Sequence, residues 1–379
     1  MNDISSVHTV SDMRSIYRVL ALTIFLSAAG AAFAQSSGND EVVRVDTQLV
    51  DVPVAVTLPN GAFASSLKAA NFVVFEDGKK QSVEAFSAVA APFEVALLLD
   101  TSGSTRNDLQ LIQRAARDFI AGLRPGDRVA VAAYTKQSDG RSGISVSEVL
   151  TELTTDRAAL YAALNRMNVS NGTPFYDSIE QAAAVIFKTK PAEEFRGRRA
   201  LVAVTDGVDS ASAADFAAAK EAIGEAGAVT YFIKVDTKEF FESQLLGDCE
   251  SSIRFSAAQI RRYYLSIDPK GKTEKVSDFC ELGDFERLAV SKRLYETADS
   301  ELDELAKMSG GKVFPVADIS DARSSFRSIA AELGTKYTLS YTPTNDARDG
   351  TYRKIRVETV GLPKGTTVRA RDGYTAPAN

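Results

Sequence analysis

Histidine is almost missing from this sequence of 379 residues: there is one, His8. It lies in a segment marked for removal on export, so the working protein is expected to hold no imidazole. That excludes a Ser-His-Asp or Cys-His nucleophile pair, a His-ligated zinc and an imidazole proton shuttle. Whatever chemistry remains must use carboxylates, hydroxyls, amines or bound ions. No run of Lys or Arg is long enough to track phosphates, and the net charge is -6, which excludes nucleic acid as a partner. The densest basic groups, Arg196, Arg198 and Arg199, then Arg261 and Arg262, are expected on solvated faces or where a strand begins. Disorder is excluded by a composition that is 45% hydrophobic and 25% charged, enough for real cores and for two domains.

After Arg14 and Arg18, the apolar run Val19 to Ala34 ends in Ala32-Phe33-Ala34, the small-x-small pattern that signal peptidase accepts. Residues 1–34 are therefore expected to be an export signal cut before Gln35, with Met1 or Met13 as the start. The run is too short to span a bilayer comfortably, no basic stop-transfer flank follows it, and no cysteine follows the cut to carry a lipid anchor. The mature chain is expected in the periplasm or the medium. There the only cysteines, Cys249 and Cys280, can pair, and a bridge over that loop contributes about 3 to 4 kcal/mol on the chain-entropy model.

Residues 41–90 alternate in the manner of strands. A turn is expected at Pro59-Asn60-Gly61 and a hairpin about Asp77-Gly78, which makes this an N-terminal β module. From 92 to 335 the rhythm changes. Continuous apolar runs, PFEVALLLD, DRVAVAAY, RRALVAVTD and AVTYFIKVD, alternate with amphipathic helices at about 108–123, 174–188, 213–226, 299–308 and 321–333. Strands apolar on both faces, each followed by a helix, predict a doubly wound, mostly parallel Rossmann-like sheet. Residues 238–295 break the alternation and read as an insertion. Phe240, Phe241, Tyr263 and Tyr264 are expected to pack its own small core. The end of the chain, 336–379, returns to strands. If these pair with the N-terminal ones, the two ends form one β-sandwich and the α/β domain is inserted within it.

Ligands of an open α/β sheet bind at the carboxyl ends of its strands. The first buried run ends in Asp100-Thr101-Ser102-Gly103-Ser104, the loop before the second long helix holds Gly172-Thr173, and a later buried run ends in Thr205-Asp206-Gly207. Two carboxylates and three hydroxyls at one edge suit a hard, oxygen-seeking divalent cation. This pattern, Asp-x-Ser-x-Ser, a distal Thr and Thr-Asp-Gly, resembles the metal ion-dependent adhesion site of von Willebrand factor type A domains. The flanking strands are similar to those of an exported subgroup seen especially in acidobacteria. The resemblance implies that Ser102 and Ser104 bind the ion directly, that Thr173 joins in the ligand-competent state, and that Asp100 and Asp206 act mostly through water. The ion is expected to be Mg2+, with Mn2+ or Ca2+ as alternatives. Neutral hydroxyls leave it electrophilic, so an acidic residue of a partner protein fills its open position. Gly103 is expected to tighten the turn and Gly207 to let the Asp206 loop pass close to the site. Asp209 is read first as the N-cap of the next helix, with support of the ion's ligands as the alternative, and Arg106 first as a solvated residue at a helix start, with contact to an anionic ligand as the alternative.

Enzyme readings fare less well. An aspartic protease would need Asp-Thr-Gly-Ser twice, whereas here Ser102 separates Thr101 from Gly103 and no second copy exists. A haloacid dehalogenase would need Asp where Ser102 stands. No dinucleotide or Walker loop opens a helix. A metal-dependent hydrolase remains an alternative without an evident base, and a structural or chaperone-like envelope module is another. The expectation is a binding protein, not an enzyme.

Overall fold

The computed structural model describes residues 49–87, 91–103, 109–138, 143–268, 270 and 278–378. The expected signal at 1–34, residues 41–48, Ser104 and Arg106 lie outside them. In chain order the elements are β1 (Val50–Thr57), β2 (Phe72–Glu76), β3 (Lys79–Gln81), β4 (Ala85–Ser87), β5 (Glu94–Leu99), α1 (Leu109–Gly122), β6 (Arg128–Ser138), β7 (Gly143–Thr154), α2 (Arg157–Asn165) and α3 (Phe175–Gln181). There follow β8 (Arg199–Thr205), α4 (Phe216–Glu225), β9 (Ala228–Val235), α5 (Lys238–Ser243), α6 (Ala257–Ile267), α7 (Asp284–Ser309), β10 (Lys312–Val316), α8 (Ala322–Leu333), β11 (Tyr337–Tyr341), β12 (Tyr352–Thr359), β13 (Thr367–Ala370) and β14 (Gly373–Thr375).

Every residue of β5 and β8 is buried, because both faces of the central sheet are covered. Its order is β10-β9-β8-β5-β6-β7, parallel except for the edge strand β7, which runs antiparallel to β6. Leu97 and Leu99 face the side packed by α1, α2 and α8, while Ala96 and Leu98 face α3, α4 and α7. Helix α1 buries Ile112, Ala115, Ala116, Phe119 and Ile120, the spacing of one helical stripe, and Phe119 meets Phe326 of α8 at a ring separation of 4.9 Å. This is the doubly wound α/β architecture expected from the alternating pattern. Two of its elements, β7 and α2, were not distinguished in the sequence: β7 alternates weakly and buries no residue fully.

The described strands before and after the α/β domain meet. Strand β1 pairs antiparallel with β11, Val52 opposite Leu339, and β2 pairs antiparallel with β12, Val74 opposite Val357. The resulting sheets, β13-β1-β11-β4 and β14-β12-β2-β3, share a core that includes Val52, Val54, Phe72, Val74, Leu339 and Ile355. The hairpin turn lies where expected: Asp77 and Gly78 both take positive φ, 46° and 81°, as a two-residue turn between twisted strands requires.

Where this sandwich meets the α/β domain, charges are buried. Lys336, fully buried, donates to the Gly310 carbonyl (3.0 Å), the Tyr231 hydroxyl (3.1 Å) and Glu332 Oε1 (3.3 Å). Arg369 of β13 also pairs with Glu332. The basic group at 198–199 is not solvated. Arg198 is fully buried over the Phe93 ring and donates to the carbonyls of Pro92 and Lys336. Arg199 opens β8 as expected but is buried against Glu94 at 3.0 Å. Carbonyls and one carboxylate replace the water that would otherwise hold these guanidinium groups.

Helix α7 begins at Asp284, fifteen residues before the expected Asp299, so the last part of the segment read as an insertion is helix. The rest holds α5 and α6, and a disulfide joins Cys249 to Cys280. Leu245, Phe255, Ile260, Phe279 and Leu282 form a small core against Val290 and Leu294 of α7. Phe241, Tyr263 and Tyr264 pack onto it as expected, but Phe240 is exposed. No helix among the described residues is long and apolar enough to cross a membrane.

Candidate functional site

Strands β5 and β8 are parallel neighbours, so their carboxyl ends deliver Asp100 and Asp206 to one edge, where successive chain connections leave β5 in opposite directions and a crevice opens. The Asp100 amide donates to the Val204 carbonyl at 3.0 Å. Asp100 Oδ1 accepts the Ser102 amide (2.9 Å), turning the chain sharply after the strand, and Oδ2 accepts the Thr205 hydroxyl (2.9 Å). Asp206 Oδ1 accepts the Val208 amide (3.0 Å) and Oδ2 the Thr237 hydroxyl (2.7 Å). The Thr237 proton is thereby committed, so Tyr295, 2.8 Å away, is the donor of the next bond.

The Thr173 loop is tied to the same edge. Ser170 donates its amide to the Thr101 carbonyl at 2.7 Å, and Ser210 brackets Thr173, accepting its amide (2.8 Å) and donating to its carbonyl (3.0 Å). The Thr173 hydroxyl makes no hydrogen bond among the described residues, although the residue is only 6% exposed. Asp100, Ser102 and Asp206 are also buried. Burial, then the nearby charge of Asp206, pushes the Asp100 carboxyl up to about 7, and burial raises Asp206 as well. Two carboxylates facing one another in a dry site repel, and a cation shared between them relieves both penalties.

Asp209 does not cap the helix that follows it; Asp215 does that for α4. Asp209 Oδ2 instead accepts the amides of Phe175 (2.9 Å) and Tyr176 (3.3 Å), the first residues of α3. Pro174 precedes them and has no side-chain cap to offer, so the carboxylate comes from across the site. Gly207 is needed for packing against α7 and not for the approach to the site that was expected: its φ is +75° and a Cβ there would lie 2.8 Å from Leu302 Cδ1. Gly103 shows no such need, having neither a left-handed φ nor a described neighbour within 4 Å of a Cβ. Replacing Gly207 by alanine should cost roughly 2 to 4 kcal/mol, from the left-handed backbone and the collision together. Urea denaturation measures it, and an unchanged midpoint would mean the loop moves freely.

Residues 95–208 match the family model for the von Willebrand factor type A domain. The chain contains a von Willebrand factor type A domain. Solved structures similar to this one include the conserved hypothetical protein BatB from Bacteroides thetaiotaomicron, 18% identical, covering 64% of this chain and 98% of that one with a TM-score of 0.38. A von Willebrand factor type A protein from Catenulispora acidiphila is 14% identical, with 88% and 75% covered and a TM-score of 0.42. Proximal thread matrix protein 1 from the mussel byssus, with a zinc-occupied MIDAS motif, is 15% identical, with 67% and 48% covered and a TM-score of 0.39; the chain spans about half of that protein. No curated protein matches the sequence.

The residues at the edge fit a cation. Asp206 makes no ion pair among the described residues, the Thr173 hydroxyl has no protein partner there, and no cluster of three or more His, Cys, Asp or Glu competes with this oxygen set among the described residues. Four of the five expected ligands, Asp100, Ser102, Thr173 and Asp206, come to one edge; the fifth, Ser104, lies outside the described residues. The positioning groups Ser170, Ser210 and Thr237 were not picked out from the sequence, whereas Thr205 stands in the Thr-Asp-Gly pattern and Asp209 was singled out with a helix cap as the preferred role. Thr237 could have been, since it lies two residues past the end of β9, at the same sheet edge as Asp206 just past β8.

Proposed function

We propose that this chain is an exported, ion-dependent protein-binding module that catalyses no reaction. In this reading Asp100, Ser102, Ser104, Thr173 and Asp206 hold one divalent cation, Mg2+ before Mn2+ or Ca2+. Bound there, the ion supplies an electrophilic centre for a carboxylate of a partner protein. The observation that carries the reading is the composition of the β5–β8 edge: two buried carboxylates beside hydroxyls, one of which, on Thr173, has no protein partner among the described residues. Such a set selects a hard cation, and with neutral hydroxyls as its direct ligands the cation stays electrophilic. The set holds no imidazole to move protons, because the only histidine is His8. Export is supported by the apolar Val19–Ala34 run and by the Cys249–Cys280 bridge. We assign the modules as a β module of 41–90 and 336–379 around an α/β domain of 92–335.

An array of peptides bearing single Asp or Glu residues, each beside its Asn or Gln counterpart, tests this. Acidic peptides should be retained in Mg2+, released by chelator, and ignored by the Ser102→Ala variant. Retention that is equal in chelator contradicts ion-dependent binding. Hydrolysis of esters, phosphates or peptides that vanishes in Ser102→Ala would establish an enzyme instead.

A further inference from the structure

The insertion, residues 238–295 including the first part of α7, reaches the site through Arg262, Tyr295 and the small core that takes in Val208. From α6, the Arg262 guanidinium donates to the Asp209 carbonyl (3.1 Å) and to Asp209 Oδ1 (3.2 Å) and lies over the Tyr176 ring at 5.0 Å. The Asp209 side chain is completely buried, and Arg262 is its only ion-pair partner among the described residues. The other oxygen of Asp209 holds the Phe175 and Tyr176 amides, two and three residues beyond Thr173. From α7, Tyr295 acts on Asp206 through Thr237. Val208, two residues after Asp206, is part of the insertion's own small core. The insertion thus grips both the loop that carries Asp206 and, through Asp209, the loop that carries Thr173.

We propose that the disulfide-closed insertion is a positioning element of the cation site, with Arg262 the residue that sets the Thr173 loop by acting on Asp209; the proposal rests on the cation reading above. In this role Arg262 acts through Asp209 and the Tyr176 ring. It neutralises a buried carboxylate whose remaining lone pairs fix the start of α3. Without it, Asp209 must draw in water or shift, and the geometry of Thr173 loosens with it. A lysine restores the charge but not the two-pronged contact with carbonyl and carboxylate.

Two measurements on Arg262→Ala and Arg262→Lys, beside wild type and Ser102→Ala, test this. In metal-free protein, hydrogen exchange across residues 173–181 should quicken in Arg262→Ala, by about 10-fold, and recover in part in Arg262→Lys. The Mn2+ dissociation constant, followed by electron paramagnetic resonance, should rise by about 10-fold in Arg262→Ala, the usual scale for losing an outer partner of a metal ligand. Folded Arg262→Ala with wild-type exchange over 173–181 overturns the proposal, as does wild-type Mn2+ affinity. If alanine unfolds the chain, Arg262→Gln, which keeps one donor, is held to the same criteria. Should wild type itself fail to bind Mn2+, the cation reading fails, and the exchange measurement still decides whether Arg262 positions the loop.

Discussion

Glu332→Gln is expected to lower the free energy of unfolding by about 3 to 5 kcal/mol, the range for breaking a buried ion pair from one side. Glu332 and Lys336 are 2% and 0% exposed at their side chains. Burial alone would raise the Glu332 carboxyl, but Lys336 and Arg369 outweigh it and hold the group at about 2. Burial pulls Lys336 down to about 8, with Glu332 resisting. The glutamine leaves an ammonium in a dry junction between α8, β9 and the sandwich, where its other contacts are the Tyr231 hydroxyl and the Gly310 carbonyl. Lys336→Met should cost less, because Glu332 keeps Arg369.

The pH dependence has a definite sign. The contribution of Glu332 is complete above the unfolded value near 4.5 and is lost as the pH falls through that value toward 2. Lys336 sits below its unfolded value of 10.5, so the unfolded chain binds the extra proton between about pH 8 and 10.5 and stability rises with pH across that window. Urea midpoints at acid, neutral and alkaline pH read both limbs. A Glu332→Gln variant within about 1 kcal/mol of wild type at neutral pH would mean that water, not protein, serves this lysine.

The second large effect concerns the cation. Mg2+ at about 100-fold above its dissociation constant should add about 2.7 kcal/mol to the wild type, or about 5 °C in Tm for a chain of this size. In Asp206→Asn the increment should disappear. The same variant in chelator should be at least as stable as wild type, because it removes one of two buried carboxylates that repel each other, while the amide oxygen still accepts from Val208 and the NH2 donates to the Thr237 hydroxyl, whose proton turns to Tyr295. The ranking of the two proteins should therefore reverse between chelator and Mg2+. Identical Mg2+ increments in both would locate the bound ion elsewhere.

The architecture was legible where one pattern had one cause. Strands β5 and β8 are apolar throughout because helices cover both faces, and the residues just beyond them mark the site. Helix α7 was only half legible because its buried residues serve two different cores: Val290, Leu294 and Ala298 face the insertion, while Leu302, Leu305 and Ala306 face the sheet. Its charged first half therefore reads as irregular chain. Asp209 was misread because a carboxylate three residues past a strand suggests a local cap, whereas here the amides it serves lie more than thirty residues earlier. Arg198 and Arg199 show the same limit. A buried guanidinium depends on carbonyls and a carboxylate, Glu94, that are distant in sequence.

Titration of Mn2+ into chelator-treated protein, followed by electron paramagnetic resonance, tests the central claim most directly. The free-ion signal should be suppressed by one saturable equivalent per chain, restored by excess Mg2+, and unaffected by Ser102→Ala protein. Saturable Mn2+ binding of equal strength in Ser102→Ala, or none in the wild type, would contradict a cation held at the β5–β8 edge.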